Sequence, residues 1–187
     1  MRNLFHSTKN TSFNFIIFNR LNLNLMKTIL LALLVFSSCT AQKIVPQKIV
    51  FASSRCYGTC PSYRIQINSD KTARMIIDDY FSKPADRETE DTAKQGCYTG
   101  IINDSLFNSI INDMNKVGID SLVSDDRLCC DAPVKTIIIY SGNKRQFFHT
   151  MFPKDKFVSL IKSLYDVYNL TKWEKTYSKF AIEDAEK

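Results

Sequence analysis

One short apolar run decides which part of this chain can form a folded domain. Met26 and Lys27 precede a nine-residue apolar run from Thr28 to Phe36. A transmembrane helix needs about 20 apolar residues, so this run is too short to span a membrane. A positive end, a short apolar run and small residues after it are typical of a secretory signal peptide. The folded domain is therefore expected to lie after this segment.

The residues that end the run resemble a lipoprotein cleavage site. Val35-Phe-Ser-Ser-Cys39 matches the lipobox pattern apart from Phe36, a position where leucine is commonest. Cleavage there would make Cys39 the first residue of the mature protein, with acyl chains such as palmitate that anchor it in a membrane. We predict a lipid-anchored protein of the bacterial cell envelope that faces the periplasm, because no acidic run follows the cysteine. An ordinary signal peptide with a chance cysteine, or a buried apolar strand, is the alternative interpretation.

These features divide the chain into five segments. Residues 1–25 contain no acidic residue and are interpreted as an upstream extension or an extended signal n-region outside the fold. Residues 26–38 are the signal peptide, and residues 39–47 are a tether. Residues 48–170 are predicted to form a single α+β domain, which is within the usual size of one domain. Residues 171–187 are a polar C-terminal tail that we expect to fray.

The positive charge of the chain lies mostly in the segments that precede the domain. The net charge is +6, but residues 1–38 carry four basic and no acidic residues. The rest of the chain has 21 basic and 19 acidic residues. A nucleic-acid-binding domain is expected to carry a basic stripe on its own fold. We therefore do not predict nucleic acid as a partner.

The mature chain shows the patterns of two hairpins and two helices. Gln47–Ser53 is predicted to form a first strand. Alternating apolar residues predict one hairpin from Ser62–Asn68 and Thr72–Phe81, and a second from Val134–Tyr140 and Lys144–Thr150. Apolar residues at helical spacing follow each hairpin. Asn103 or Asp104 can cap the first helix, Gly118 ends it, and Pro153 and Asp155 open the second. We predict an α+β fold, an antiparallel sheet of two hairpins with both amphipathic helices packed on one face.

Five cysteines remain if Cys39 is lipidated, namely Cys56, Cys60, Cys97, Cys129 and Cys130. An exported domain meets an oxidising compartment, which favours disulfides. Cys56 and Cys60 are separated by Tyr-Gly-Thr, and this spacing allows their sulfurs to meet and fix the turn between the first two strands. Cys97 could bridge Cys129 or Cys130, which would leave one thiol free.

A metal site is the alternative use of the same cysteines. Cys56, Cys60 and His149 form a soft ligand set suited to copper(I), and Cys-x-x-x-Cys-Pro with a later histidine is similar to copper-delivery proteins of cytochrome oxidase assembly. In those proteins a helix follows the motif, whereas a strand follows it here. A zinc site formed by Cys56, Cys60, Cys129 and Cys130 fits poorly, because the last two are adjacent.

Other chemistry has weaker support in the sequence. Thiol redox catalysis usually places Cys-x-x-Cys at a helix start, whereas this spacing is longer and leads into a strand. Asp125, Asp126 and Asp131 could offer oxygen ligands to calcium, but an acidic loop is more often simply solvated. His149 is the one histidine after Cys39, and no hydrolase or nucleotide-binding motif is present. The sequence identifies no enzymatic activity. It favours a non-enzymatic domain that binds a protein, a peptide or a cell-wall component.

The cysteine motif carries a family resemblance. Arg55-Cys-Tyr-Gly-Thr-Cys-Pro-Ser-Tyr-Arg-Ile-Gln-Ile67 resembles the opening of an uncharacterised bacterial family, domain of unknown function 6438, whose members often carry a lipoprotein signal. Tyr98-Thr-Gly-Ile101 and Asp131-Ala-Pro133 are looser matches. Adjacent Cys129-Cys130 departs from the Thr-Asp-x-Pro form of that loop. The resemblance covers about residues 48–170 and implies domain limits and location, but no activity.

Overall fold

The structure is a computed structural model that describes Lys27 and residues 44–56, 60–81, 89–118, 122–125, 127, 129 and 131–183. The chain divides into two compact units, Met1–Gln42 and Lys43–Lys187. The elements below all belong to the second unit. Cys39 and the apolar run from Thr28 to Phe36 lie outside the described residues. Within the described ranges, no helix is long and apolar enough to cross a membrane.

The described part of the second unit forms one antiparallel sheet and two α-helices. The strands are β1 (Lys48–Ser53), β2 (Ser62–Asn68), β3 (Thr72–Asp79), β4 (Gly96–Ile101), β5 (Lys135–Ser141), β6 (Lys144–Thr150) and β7 (Glu174–Thr176). Their order in the sheet is β6-β5-β1-β2-β3-β4-β7. The prediction of an α+β fold with an antiparallel sheet and two helices is confirmed. The predicted first strand is present as β1, which lies between β2 and β5 and pairs with both of them.

The helices are α1 (Asp104–Val117) and α2 (Asp155–Leu170). The Asn103 side chain accepts a hydrogen bond from the Leu106 backbone N–H at 2.9 Å, which satisfies one open donor of the first turn of α1. Gly118 ends α1 with a φ of 75°, a conformation that costs glycine little. A buried hydrogen bond of 2.8 Å from the Ser163 hydroxyl to the Asp113 carboxylate joins the two helices.

One core unites both helices with alternate residues of the central strands. Successive side chains of a strand point to opposite faces, so β2 directs Tyr63, Ile65 and Ile67 to the helices and Arg64 and Gln66 away from them. The same cluster includes Ile49, Phe51, Met75, Ile110, Met114, Ile137, Phe148, Leu160, Leu164 and Val167. This face of the sheet is the helix face.

Residues 171–183 complete the fold, whereas the sequence led us to expect a fraying polar tail. After α2 the chain adds β7, which pairs with β4. It then crosses the face opposite the helices, where Ile182 is only 4% exposed and packs against Val50 and Ile138. The Glu183 carboxylate lies 2.8 Å from the Arg145 guanidinium. We call residues 177–183 the C-terminal strap.

The two ends of the sheet are distinct. Ser53, the last residue of β1, pairs with Tyr63 at the start of β2 and with Lys135 at the start of β5. The β1–β2 loop, the β3–β4 connection and the connection into β5 therefore meet at one end, the loop end. The chain enters β1 at the other end, the tether end, where the Ile44 backbone exchanges hydrogen bonds of 3.1 and 3.0 Å with the Asn115 amide.

Candidate functional site

A disulfide closes the β1–β2 loop at the loop end. The sulfurs of Cys56 and Cys60 are 2.03 Å apart and their Cα atoms 5.5 Å apart. The expected pairing of these two cysteines is therefore present. The Cys60 backbone N–H also donates to the Cys56 sulfur at 3.3 Å. Residues 57–59, between them, lie outside the described residues.

The first half of this loop is attached to neighbouring elements. The Ser54 N–H donates to the Val134 carbonyl at 2.9 Å, and the Val134 N–H donates to the Ser54 hydroxyl at 2.9 Å. The Arg55 guanidinium lies 4.7 Å from the ring centroid of Phe81, a buried residue that follows β3. Cation–π contacts of this kind hold the two connections together. Ser54 and Arg55, which precede the disulfide, are thus held beside Val134 and Phe81.

Five of the eight tyrosines lie on the helix face near this loop. We call them the tyrosine cluster: Tyr63, Tyr80, Tyr98, Tyr165 and Tyr168. The rings of Tyr63 and Tyr168 stack with centroids 4.4 Å apart. Phe51 meets Tyr63 edge-on at 6.2 Å and Tyr165 at 5.2 Å. These separations are those of favourable aromatic pairs, so Tyr63, Tyr165 and Tyr168 pack together with Phe51.

The structure shows hydrogen bonds for the hydroxyl groups of three members of the cluster, Tyr80, Tyr98 and Tyr165. Tyr165 exchanges a hydrogen bond of 3.2 Å with the Ser53 hydroxyl. Tyr98 donates to the Lys94 carbonyl at 2.7 Å, and the Lys94 ammonium donates to the Tyr80 hydroxyl at 3.2 Å. Tyr63 is only 2% exposed, and its hydroxyl has no hydrogen-bond partner among the described residues.

Burial keeps three phenols of the cluster uncharged. Burial, with Tyr165 and Tyr168 nearby, raises the pKa of Tyr63 far above its usual value. Burial also raises the pKa of Tyr165 and of Tyr168. Hydrogen bonding to Tyr80 raises the pKa of Lys94, whose ammonium lies 3.8 Å from the Asp91 carboxylate. These three phenols therefore offer neutral hydroxyls, and the Lys94 ammonium is paired with the Asp91 carboxylate.

Two further aromatic residues border the cluster. Trp173, the single tryptophan of the chain, donates its indole N–H to the Tyr168 carbonyl at 3.1 Å. Tyr177 directly follows β7 at the loop end, and its side chain is fully exposed. Trp173 is thus a natural fluorescent reporter of the cluster, and Tyr177 is an accessible ring at its border.

The candidate metal ligands do not form a metal-binding group. Cys56 and Cys60 are joined to each other. His149 lies on β6, where its ring is 5.3 Å from that of Phe147 and its backbone N–H donates to the Ser124 hydroxyl at 3.1 Å. Throughout the part of the chain that the structure describes, no group of three or more His, Cys, Asp or Glu side chains could hold a metal ion.

The disulfide predicted from Cys97 to Cys129 or Cys130 is not present at Cys97. Cys97 carries a free thiol on β4. The strand order separates β4 from β5, which follows Cys129 and Cys130, by four strand spacings, about 19 Å. A disulfide needs Cα atoms within about 7 Å, which explains why a bridge from Cys97 is not formed. Cys129 is exposed, and Cys130 lies outside the described residues.

In the acidic loop before β5, an aspartate forms an ion pair with an arginine. The Arg127 guanidinium donates to both carboxylate oxygens of Asp125, at 2.9 and 3.0 Å through its Nε. These hydrogen bonds lower the pKa of Asp125 to about 2. Asp131 is exposed and Asp126 lies outside the described residues. Asp125 is therefore engaged in an ion pair.

A separate cavity of about 630 Å³ lies beside β3, β4 and β7. Its lining includes Arg74, Thr99, Lys172 and Glu174. It contains none of the predicted site residues, so it gives no support to the cysteine chemistry.

The tyrosine cluster was not recognised as a site from the sequence. The sequence pattern places Tyr165 and Tyr168 at helical spacing and Tyr63 at an inward position of β2, and it gives none of them a role in a site. The available signal was the excess of tyrosine at inward positions, because a phenol carries a polar group that needs a partner when buried. That signal does not show which tyrosines meet.

One comparison with known proteins gives a match. The family model described as Domain of unknown function (DUF6438) matches residues 47–168. No protein in the curated collection matches the chain. The matched range begins just before β1 and ends within α2, so it includes both the disulfide loop and all five tyrosines of the cluster.

Proposed function

Because the chain belongs to the DUF6438 family, a family without an assigned activity, we propose its function from its geometry. The protein is a non-enzymatic binding domain, lipid-anchored through Cys39 in the bacterial envelope and facing the periplasm. Its ligand binds at the loop end, between the disulfide loop and the tyrosine cluster. The ligand is a component of the envelope, either protein, peptide or cell wall.

The unpaired hydroxyl of Tyr63 carries this proposal. A buried polar group without a partner costs about 1–3 kcal/mol, and native proteins keep few of them. The other cluster hydroxyls that the structure pairs show that partners are available in this region. A ligand atom that reaches Tyr63 would regain the lost hydrogen bond. We therefore interpret this hydroxyl as a group that forms a hydrogen bond with the ligand.

The direction of β1 supports the position of this site. Four residues separate Cys39 from Ile44, whose backbone is held by Asn115. A fully extended chain covers at most about 17 Å over this interval. β1 then runs from the tether end to the loop end, a further length of about 17 Å. The lipid that we propose on Cys39 would therefore join the domain through the tether end, the end of β1 opposite the loop end.

Hydroxyl-radical labelling in native envelopes tests the binding surface. The protein is labelled in isolated envelopes and, as the reference, in lipid vesicles that lack other envelope components. We expect protection of Tyr80, Tyr98 and Tyr177 in envelopes alone. Ile101, 74% exposed and away from the loop end, is the internal control and should label equally. Equal labelling of the three tyrosines in both preparations would contradict the proposal.

The lipid anchor has its own test. Cells are grown with a fatty-acid analogue, and the wild-type protein is compared with Cys39→Ala. Incorporation in the wild type that is absent from the variant supports lipidation at Cys39. Equal labelling of the two proteins would rule it out.

A thiol-redox or copper(I)-handling protein is the second candidate function. The N–H of Cys60 that donates to the Cys56 sulfur would stabilise a thiolate there after reduction. Mass spectrometry after rapid thiol blocking of cells separates the two functions. A fully oxidised Cys56–Cys60 pair is expected of the binding domain. A mixed population of thiols and disulfide, or stoichiometric copper(I) uptake that Cys60→Ser abolishes, would favour the second candidate.

A further inference from the structure

We infer that the cavity beside β3, β4 and β7 binds a phosphoethanolamine group, a zwitterion that carries a phosphate and a primary ammonium. This group occurs in the headgroup of a phospholipid and in the soluble diester that lacks the acyl chains. The site is separate from the tyrosine cluster. The observation behind the inference is that two cationic side chains and one anionic side chain line a single cavity. We call it the charged cavity.

The register of the sheet places the polar lining of the charged cavity on one face. Arg74 on β3 pairs with Thr99 on β4, and Thr99 pairs with Glu174 on β7. Residues directly opposite each other share a face, and two strand spacings put Arg74 and Glu174 about 10 Å apart. Lys172 completes the charged lining, and Ile101, 74% exposed, adds an apolar surface.

The chain after α2 fixes the charged cavity from two sides. A Cβ atom on Gly100 would stand 3.0 Å from the Lys172 carbonyl oxygen. The chain can therefore pass this close to β4 only because residue 100 has no side chain. On the other side, the Arg74 guanidinium lies 5.4 Å from the ring centroid of Phe180 in the C-terminal strap. This cation–π contact holds the guanidinium at the border of the charged cavity.

The charged side chains of the cavity are available to a ligand. Within the part of the chain that the structure describes, Arg74, Lys172 and Glu174 form no ion pair and no side-chain hydrogen bond. By contrast, the Lys71 ammonium on the adjacent turn pairs with the Asp104 carboxylate at 2.6 Å. The charged cavity therefore offers charges of both signs that are not compensated within the fold.

This pattern of charges selects a zwitterion. Arginine and lysine donate charge-assisted hydrogen bonds to phosphate, and a primary ammonium can donate to the Glu174 carboxylate. A purely anionic ligand would be repelled by Glu174, and a purely cationic ligand by Arg74 and Lys172. A neutral ligand would cover three charges without pairing them, which is costly. The volume of about 630 Å³ is within the range of small-ligand sites.

The position of the charged cavity favours a lipid headgroup as the source of this group. Thr72 and Ile101, which line it, pair at the tether end of the sheet. The Ser69 N–H of the adjacent turn donates to the Gln47 carbonyl, directly before β1. The lipid that we propose on Cys39 would join the domain through this same end. The choice of source rests on that anchor, whereas the ligand class does not.

The first test is calorimetric titration of the full chain with glycerophosphoethanolamine, the soluble diester. We expect saturable binding that Arg74→Gln and Glu174→Gln each weaken about tenfold, equivalent to about 1.4 kcal/mol. Both side chains are exposed, so the fold should survive, which circular dichroism checks. Lys144→Gln is the matched control, because it removes a positive charge from the tether end of β6 outside the charged cavity, and it should bind like the wild type.

Two analogues decide the ligand class. Glycerophosphoglycerol keeps the phosphate but lacks the ammonium, and L-alanine replaces the phosphate with a carboxylate. We expect both to bind at least tenfold more weakly than glycerophosphoethanolamine. Equal affinity for glycerophosphoglycerol would show that the ammonium is not recognised, and tighter binding of L-alanine would assign the site to amino acids. Either result, or the absence of saturable binding of glycerophosphoethanolamine, would overturn the inference.

The second test identifies the source of the group. A short-chain phosphatidylethanolamine is titrated below its micelle concentration, so that it binds as a single lipid. Tighter binding than that of the soluble diester, weakened about tenfold by Glu174→Gln, supports a lipid headgroup. Equal affinity of the two compounds would overturn the lipid source. Fatty-acid labelling of Cys39 tests the anchor separately, so a failure of the anchor and a failure of the charged cavity are distinguishable.

Discussion

At the scale of single residues, Gly100 shows how closely β4 meets the chain that follows α2. A Cβ atom on Gly100 would stand 2.8 Å from the Thr171 methyl carbon and 3.0 Å from the Lys172 carbonyl oxygen. Real Cβ atoms do not approach backbone this closely, and overpacking usually costs about 1–3 kcal/mol. We expect Gly100→Ala to lower the free energy of unfolding by about 2 kcal/mol, measured by urea denaturation.

The neighbouring residue provides the control for this substitution. Thr99 lies on the same strand with an exposed side chain. Thr99→Ala should change stability by no more than about 0.5 kcal/mol, as exposed positions usually do. Equal stability of Gly100→Ala and Thr99→Ala would contradict the close packing of β4 on residues 171–173.

The disulfide gives a second prediction at this scale. The loop from Cys56 to Cys60 is short, so closing it removes little entropy from the unfolded chain. We expect the double variant Cys56→Ser and Cys60→Ser to lose about 2 kcal/mol and to keep its fold. Circular dichroism and denaturation measure both quantities. A variant that fails to fold would show that the loop organises the whole sheet.

At the scale of elements, the C-terminal strap covers the face of the sheet opposite the helices. Ile182 fills a small cluster with Val50 and Ile138, which explains why β1 is buried on both faces. We expect Ile182→Ala to cost about 2 kcal/mol, the lower end for a buried isoleucine. Val158→Ala, 49% exposed on α2, is the control and should be near neutral. If both variants are neutral, the strap frays as the sequence alone suggested.

The attachment of the strap should depend on pH. Burial raises the pKa of the Glu183 carboxyl, but hydrogen bonds from Tyr140 and Arg145 outweigh it, and the pKa lies below its usual value. A lowered native pKa adds stability above the unfolded pKa that is lost as pH falls through the native value. We therefore expect the strap to loosen below about pH 4.

Amide hydrogen exchange of residues 177–183, corrected for intrinsic rates, measures this loosening, with the amides of β5 as the internal reference. Glu183→Gln is the matched variant and should show weaker protection with little pH dependence. Strap protection that stays constant in the wild type down to about pH 3 would refute the ionic attachment.

Elements with a regular pattern could be predicted from the sequence, and the strap could not. Tyr63, Ile65 and Ile67 alternate, which predicts β2 because a strand has a period of two residues. Asn103 and Gly118 set the limits of α1 through capping preferences that act locally. The strap has no such period. Its stability comes from one buried isoleucine and one carboxylate that meet residues far away in the chain.

At the scale of the whole molecule, the sheet separates the tether end, where the chain enters β1, from the candidate site at the loop end. β1 begins at the tether end and ends at the loop end, where the disulfide loop follows it. The spacing of Cys56 and Cys60 predicts their bond, because it depends on five adjacent residues. The tyrosine cluster escaped prediction, since its members come from β2, β4, α2 and the residue after β3. Tertiary packing alone brings them together.

The proposed binding site depends most on the unpaired hydroxyl of Tyr63, and the free energy of unfolding of Tyr63→Phe tests it most directly. Tyr165→Phe is the matched variant, because the Tyr165 hydroxyl pairs with Ser53 in the same cluster. We predict that Tyr63→Phe is more stable than the wild type by about 1 kcal/mol and Tyr165→Phe less stable by about 1 kcal/mol. Equal destabilisation of both variants would show that Tyr63 already has a partner in the free protein, and would contradict the account.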